Sequence, residues 1–262
     1  MRKVLPLISA VVVAFVVYAG LQAIRGTKGG TAQRQKTVLS EKDSAVLLNN
    51  SGVALLDQPG RAEEALKYFD QAIEQDPNLA EAWGNKGQAL TILGRNEEAV
   101  ECLEKAIELK PDFAKAWDTK GVALRNIGKG EEAMSCFDKA IELDPNYATA
   151  WFNKGISYSE AGQKDKALEA YDKALEIDPK YSPSLIAKGG ILFEQKRHEE
   201  ALQCFAQAVQ LEPDAPDAWY LKGATLVALQ RFKEGREALN KAKELGSQQA
   251  TELLTLLDQK GV

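Results

Sequence analysis

The sequence is short of the residues that usually carry chemistry. Its 262 residues include one histidine, His198, and three cysteines, none of them in a CxxC pair. Metal centres are built from clustered imidazoles, thiolates and carboxylates, so this supply argues against one. The strings GxGxxG, GxxxxGK(S/T) and GxSxG do not occur. That excludes the phosphate-cradling loops and the nucleophile elbow those strings build. Acidic pairs are present at Glu97–Glu98, Glu131–Glu132 and Glu199–Glu200. They recur at expected helix starts, where carboxylates complement the helix dipole, which is a simpler role than acid–base catalysis. Excess positive charge is also missing from most of the chain. Residues 43–262 hold 26 bases against 37 acids, a poor surface for a phosphate backbone. No catalytic residue, metal, cofactor or nucleic-acid partner is therefore expected.

What the chain does have is a period. Ala80–Phe113 is rewritten by Ala114–Tyr147 with the same residues in the same places, 34 apart. The step runs through Trp83, Trp117, Trp151, Leu185 and Trp219, and through Gly87, Gly121, Gly155, Gly189 and Gly223. It continues in Ala99, Ala133, Ala167 and Ala201, and in Leu103, Phe137, Tyr171, Phe205 and Leu239. Pro77, Pro111, Pro145, Pro179 and Pro213 close the units. Apolar residues at helical spacing predict two helices per unit. Gly94, Gly128 and Gly162 suit a left-handed end to the first helix, and the prolines stop the second. Asn78 with Glu81 predicts a capping box at the start of a unit. Gly87 and Ala99 allow the helices to approach closely, and the tryptophans are expected to be core, plugging the space between layers.

This series of tryptophan, glycine, alanine, aromatic, alanine and proline resembles the tetratricopeptide repeat. The resemblance implies an all-α, right-handed α-solenoid of helix pairs over 43–249, in units 45–79, 80–113, 114–147, 148–181, 182–215 and 216–249. The first unit has one extra residue in its Gln58–Pro59–Gly60 turn, and the last has Gly235 and Ser247 in place of the alanine and proline. Residues 250–262 place Ala250, Leu253, Leu254 and Leu257 on one face, as expected of a C-terminal capping helix.

Ahead of the repeats, Leu5–Ile24 carries no charge. Twenty helical residues reach about 30 Å, the thickness of a hydrocarbon core. An N-terminal hydrophobic helix over 1–24 reads either as a retained transmembrane anchor or as a cleaved secretory signal, with Ala19 or Ala23 at the cleavage position. Bases flank both ends, so the charge rule selects no side of the membrane. Residues 25–42 read as a flexible tether. Cys102, Cys136 and Cys204 share one place in the repeat, too far apart for a disulfide, and are expected to be half-buried small hydrophobes. His198 is expected in a solvated turn.

The family resemblance implies binding in a concave face lined by the first helix of each unit. In the second and third units that face would show Glu81, Gln88, Lys115, Asp118, Arg125 and Asn126. In the fourth to sixth it would show Phe152, Ile156, Ile186, Phe193, Tyr220 and Val227, an exposed apolar band apart from the residues that hold the units together. Members that clamp acidic chaperone tails need Lys, Asn, Asn, Lys and Arg where this chain has Asn49, Val53, Asn85, Lys115 and Thr119. Three of the five fail, which excludes that role. The expected function is a membrane-tethered scaffold that holds a peptide or protein segment in its groove. The alternative is a structural, self-associating solenoid.

Overall fold

The computed structural model describes residues 40–261. Among them are thirteen helices and no strand. They form consecutive pairs: α1 (Glu41–Leu56) with α2 (Ala62–Gln75), α3 (Ala80–Ile92) with α4 (Asn96–Leu109), and α5 (Ala114–Asn126) with α6 (Gly130–Leu143). The later pairs are α7 (Ala148–Glu160) with α8 (Lys164–Ile177), α9 (Ser182–Glu194) with α10 (His198–Leu211), and α11 (Pro216–Ala228) with α12 (Phe232–Glu244). A single helix, α13 (Gln248–Lys260), closes the array. The expected membrane helix over 1–24 lies outside the described residues, as does the tether up to residue 39. Its last residues are not tether: Ser40 caps α1, accepting from the Asp43 amide at 3.1 Å, and Glu41 and Lys42 are helical. Among the described residues no helix is long and apolar enough to cross a membrane.

Each pair is pinned by a glycine facing a large side chain. A Cβ added to Gly121 would stand 2.5 Å from the Phe137 ring, and one on Gly87 would stand 2.5 Å from Leu103. Phe69, Leu103, Phe137 and Leu239 are fully buried, and Phe205 is 1% exposed. This series, rather than the tryptophans, is the plug of each layer. Trp83, Trp117, Trp151 and Trp219 are only half-buried. The reason is the indole N–H, which must keep a hydrogen-bond partner. Trp83, Trp117 and Trp219 donate to the carbonyls of Pro77, Pro111 and Pro213 at 2.9–3.0 Å, and Trp151 to that of Pro145 at 3.3 Å. This ties each ring to the turn before its helix, and a lysine Nζ of the same helix lies over each ring.

The capping box at Asn78 does not form. Asp76 is nearer, and its Oδ1 accepts from the Asn78 amide at 3.0 Å. Asp144 and Asp178 build the same turn in later units. Glu81 instead bonds Lys110 Nζ at 2.9 Å, which holds its carboxyl below the usual range. The left-handed ends fall at Gly94, Gly128 and Gly162, with φ of 76°, 82° and 74°. In the fifth and sixth units the same conformation is adopted by Lys196 (φ 61°) and Gln230 (φ 60°), which carry a Cβ.

Neighbouring units are joined by two layers of contact. The second helix of one unit packs on the first helix of the next, and first helices touch one another: α1 with α3, α3 with α5, α5 with α7, α7 with α9, and α11 with α13. No two second helices make comparable contact. The first helices therefore line the more tightly curved, inner side. Across four successive joints a lysine of the first helix pairs with an acid on the preceding second helix: Lys86 with Asp70 (2.7 Å), Lys120 with Glu104 (2.8 Å), Lys154 with Asp138 (2.6 Å), and Lys188 with Asp172. At the next joint Ala206 stands where the acid would be. At the far end Ala250, Leu254 and Leu257 of α13 are buried against Leu239 and Ala242.

Candidate interaction groove

The inner wall has a polar half and an apolar half. In the polar half most of the residues expected to face a ligand are occupied by the solenoid itself. Asp118, on α5, is 4% exposed and accepts from Asn153 Nδ2 of α7 at 2.9 Å. The Tyr147 hydroxyl stands 3.5 Å from its other oxygen. Burial pushes the Asp118 carboxyl up to about 6, against the Asn153 hydrogen bond and the Arg125 charge, which favour ionisation. Burial and this carboxylate together push the Tyr147 phenol up. Asn85, also buried, donates to Asn49 at 2.9 Å across the first joint. Arg125 donates to the Asn153 carbonyl at 3.3 Å, lies 3.9 Å from Glu160, and borders a cavity of about 600 Å³ with Met134, Tyr158 and Lys166. Asn126 bonds Asn96 at 3.1 Å. Lys115 stays without an ion pair among the described residues, and desolvation lowers its ammonium pKa against the pull of Asp57.

In the apolar half the six expected residues do lie on first helices, but they are not an exposed band. Phe152, Ile156, Ile186, Phe193, Tyr220 and Val227 are all half-buried. Phe152 meets Tyr171 and Tyr181 with ring centroids 5.8 and 5.4 Å apart. Ile156 packs in the same cluster. Phe193 sits with Leu192 and Phe205, and Tyr220 and Val227 with Leu239. They share the work of holding the units together, each packed against a buried cluster. Phe193 also stacks on His198, at 4.8 Å, so that histidine is half-buried at the start of α10 rather than in a solvated turn.

The cysteines are more buried than expected: Cys102, Cys136 and Cys204 are 7%, 5% and 8% exposed, all are free thiols, and burial pushes each pKa up. Raised thiols are poor nucleophiles. Among the described residues no group of three His, Cys, Asp or Glu could hold a metal ion. Sequence reasoning missed the Asn49–Asn85 and Asp118–Asn153 pairs. A signal was available: a polar residue at one place in a unit is matched by asparagine one residue further along in the next.

Tetratricopeptide repeat models match residues 47–79, 80–113, 148–181, 170–203 and 216–246, and TPR repeat models match 121–162 and 189–230. The chain belongs to the tetratricopeptide repeat family. Among solved structures, MamA from Desulfovibrio magneticus RS-1 is 28% identical, covering 65% of this chain and 96% of its own, with a TM-score of 0.53. PilF of Pseudomonas aeruginosa is 18% identical over 82% of this chain and 98% of its own, with a TM-score of 0.69. YrrB, described as a TPR protein with an unusual peptide-binding site, is 24% identical over 73% of this chain and 97% of its own, at 0.53. The last two likenesses speak to the fold alone. No protein of curated function matches the sequence. The repeat fold is that of an interaction scaffold, and its members are generally not enzymes.

Proposed function

We propose that this protein is a membrane-tethered scaffold whose inner face, over units four to six, holds a segment of a protein partner. One observation carries the reading: Phe152, Ile156, Ile186, Phe193, Tyr220 and Val227 line successive first helices, and each leaves part of its apolar surface uncovered. Apolar surface gathered in a concavity is where partners dock. Residues 5–24 supply the tether, and Lys115, which makes no ion pair among the described residues, extends the face towards the polar half. A photo-crosslinking residue at Tyr220, in cells, is expected to capture a protein adduct. The same residue at Gln203, exposed on α10, is expected to capture none. Equal capture from both positions would remove the groove from the account.

A second reading, self-association end to end, has its own support. Leu47 is 53% exposed, whereas Ala82, Ala116, Ala150, Ser184 and Ala218, at the same place in later units, are 0–1% exposed against the preceding unit. Tyr68 is likewise 37% exposed where Cys102 and Cys136 are buried. Light scattering of the full chain across concentration, with Leu47→Glu beside it, tests this. A mass that stays monomeric in both removes the second reading.

A further inference from the structure

The inner wall over units four to six is one-sided in charge. Helices α7, α9 and α11 carry one basic residue each, namely Lys154, Lys188 and Lys222. All three turn to the far side: Lys154 to Asp138, Lys188 to Asp172, and Lys222 over the Trp219 ring at 4.9 Å. Their acids stand at the helix ends instead. Glu160 and Glu194 end α7 and α9, and Asp217 stands in the first turn of α11. Glu160 and Glu194 already have Arg125 and Lys164 as counter-charges at 3.9 and 2.7 Å, whereas Asp217 makes no ion pair among the described residues. These helices repeat in one sense, so the acids rim both sides of the apolar strip.

The strip also has a place where it opens. First helices of neighbouring units pack least closely at one joint, that between α9 and α11. The same joint lacks the lysine–acid tie, because Ala206 stands below Lys222. Gly190 of α9 faces open space, where an added Cβ would meet nothing within 4 Å. Ile186 and Phe193 flank it on α9, and Tyr220 and Val227 line the facing helix.

We propose that the segment held by this groove is amphipathic and cationic, with its apolar side seated between α9 and α11 over Gly190 and a positive charge against Asp217. This rests on the groove reading above and narrows it to a chemical class. Apolar anchors supply the affinity, and the acidic rim selects the sign of the partner's charge and speeds encounter.

The test uses the full chain and two labelled peptides of about 18 residues with leucine at helical spacing. One carries lysine at the polar positions and the other glutamate. Anisotropy is expected to show the lysine peptide binding at least ~10-fold more tightly, with a Kd that weakens as salt rises. Gly190→Leu, which fills empty space and favours the helix, is expected to keep the melting temperature and abolish binding. Asp217→Lys, an exposed change, is expected to weaken the lysine peptide and strengthen the glutamate one. A glutamate peptide that binds as well as its partner, yet is lost with Gly190→Leu, would overturn the cationic class and leave the groove standing. Lysine-peptide binding that survives both variants would overturn the seat. No saturable binding of either peptide would overturn both this inference and the groove reading.

Discussion

Asn153 reaches across the joint between units three and four to donate to a buried carboxylate, Asp118, at 2.9 Å. Two units earlier Asn85 makes the same reach, at the same distance, to a neutral amide, Asn49. One joint therefore carries a charge that its counterpart avoids, and the consequence is a dependence on pH. Burial raises the Asp118 pKa from 3.8 to about 6. The folded state thus holds a proton that the unfolded chain releases between those values. Stability from this group is greatest below the unfolded pKa and is lost as pH rises towards the folded one. Asp118→Asn should stabilise the protein by about 1–3 kcal/mol at pH 7. The gain should vanish near pH 4. Urea unfolding at the two pH values checks it, and an equal gain at both would mean that the carboxyl is not shifted.

The plug and the ring beside it should cost different amounts to remove. Phe137→Ala opens a cavity behind Gly121 in a fully buried place and should destabilise by about 3–5 kcal/mol. Trp151→Ala removes a half-buried ring and one hydrogen bond, and should cost about 2 kcal/mol. Chemical denaturation of both variants ranks them. Trp151→Ala costing more would return the tryptophans to the centre of the layers.

Lys196 and Gln230 hold the conformation that Gly94, Gly128 and Gly162 hold elsewhere. A Cβ in that region costs roughly 1–2 kcal/mol. Lys196→Gly and Gln230→Gly should each stabilise by about 1 kcal/mol, less the entropy that glycine adds to the unfolded chain. Differential scanning calorimetry should show melting temperature rise in each. A fall in both would show that the side chains supply more than the strain takes.

Ser184 is fully buried in the place held by Ala82, Ala116, Ala150 and Ala218, and its hydroxyl has no hydrogen-bond partner. Ser184→Ala removes an unsatisfied group without leaving a hole of consequence and should stabilise by about 1 kcal/mol. A loss of stability would mean that the hydroxyl finds a partner.

The repeat made the helix pairs legible, because a glycine at a fixed distance from a large residue has one economical arrangement. Periodicity could not show that Trp151 would be half in water. An indole needs its N–H bonded, and the nearest acceptor is the carbonyl of Pro145, out in the turn. Nor could it separate Glu81 from Asp76 as the carboxylate that claims the Asn78 amide, since both are competent and the shorter reach wins. On the inner wall, residue type located the six apolar groups on first helices, but not how far Phe152 would lean on Tyr171 and Tyr181. That depends on the second helix of the same unit and on the turn that closes it, beyond what one helix face displays.

The last helix, α13, keeps the register of a first helix, with Ala250 following Ala80, Ala114 and Ala148 at the repeat spacing, and has no partner after it among the described residues. The array thus begins and finishes on the same kind of rung. Among the described residues seven rungs border the bay and six stand behind them, so the bay is bounded at either end by a wall of its own type.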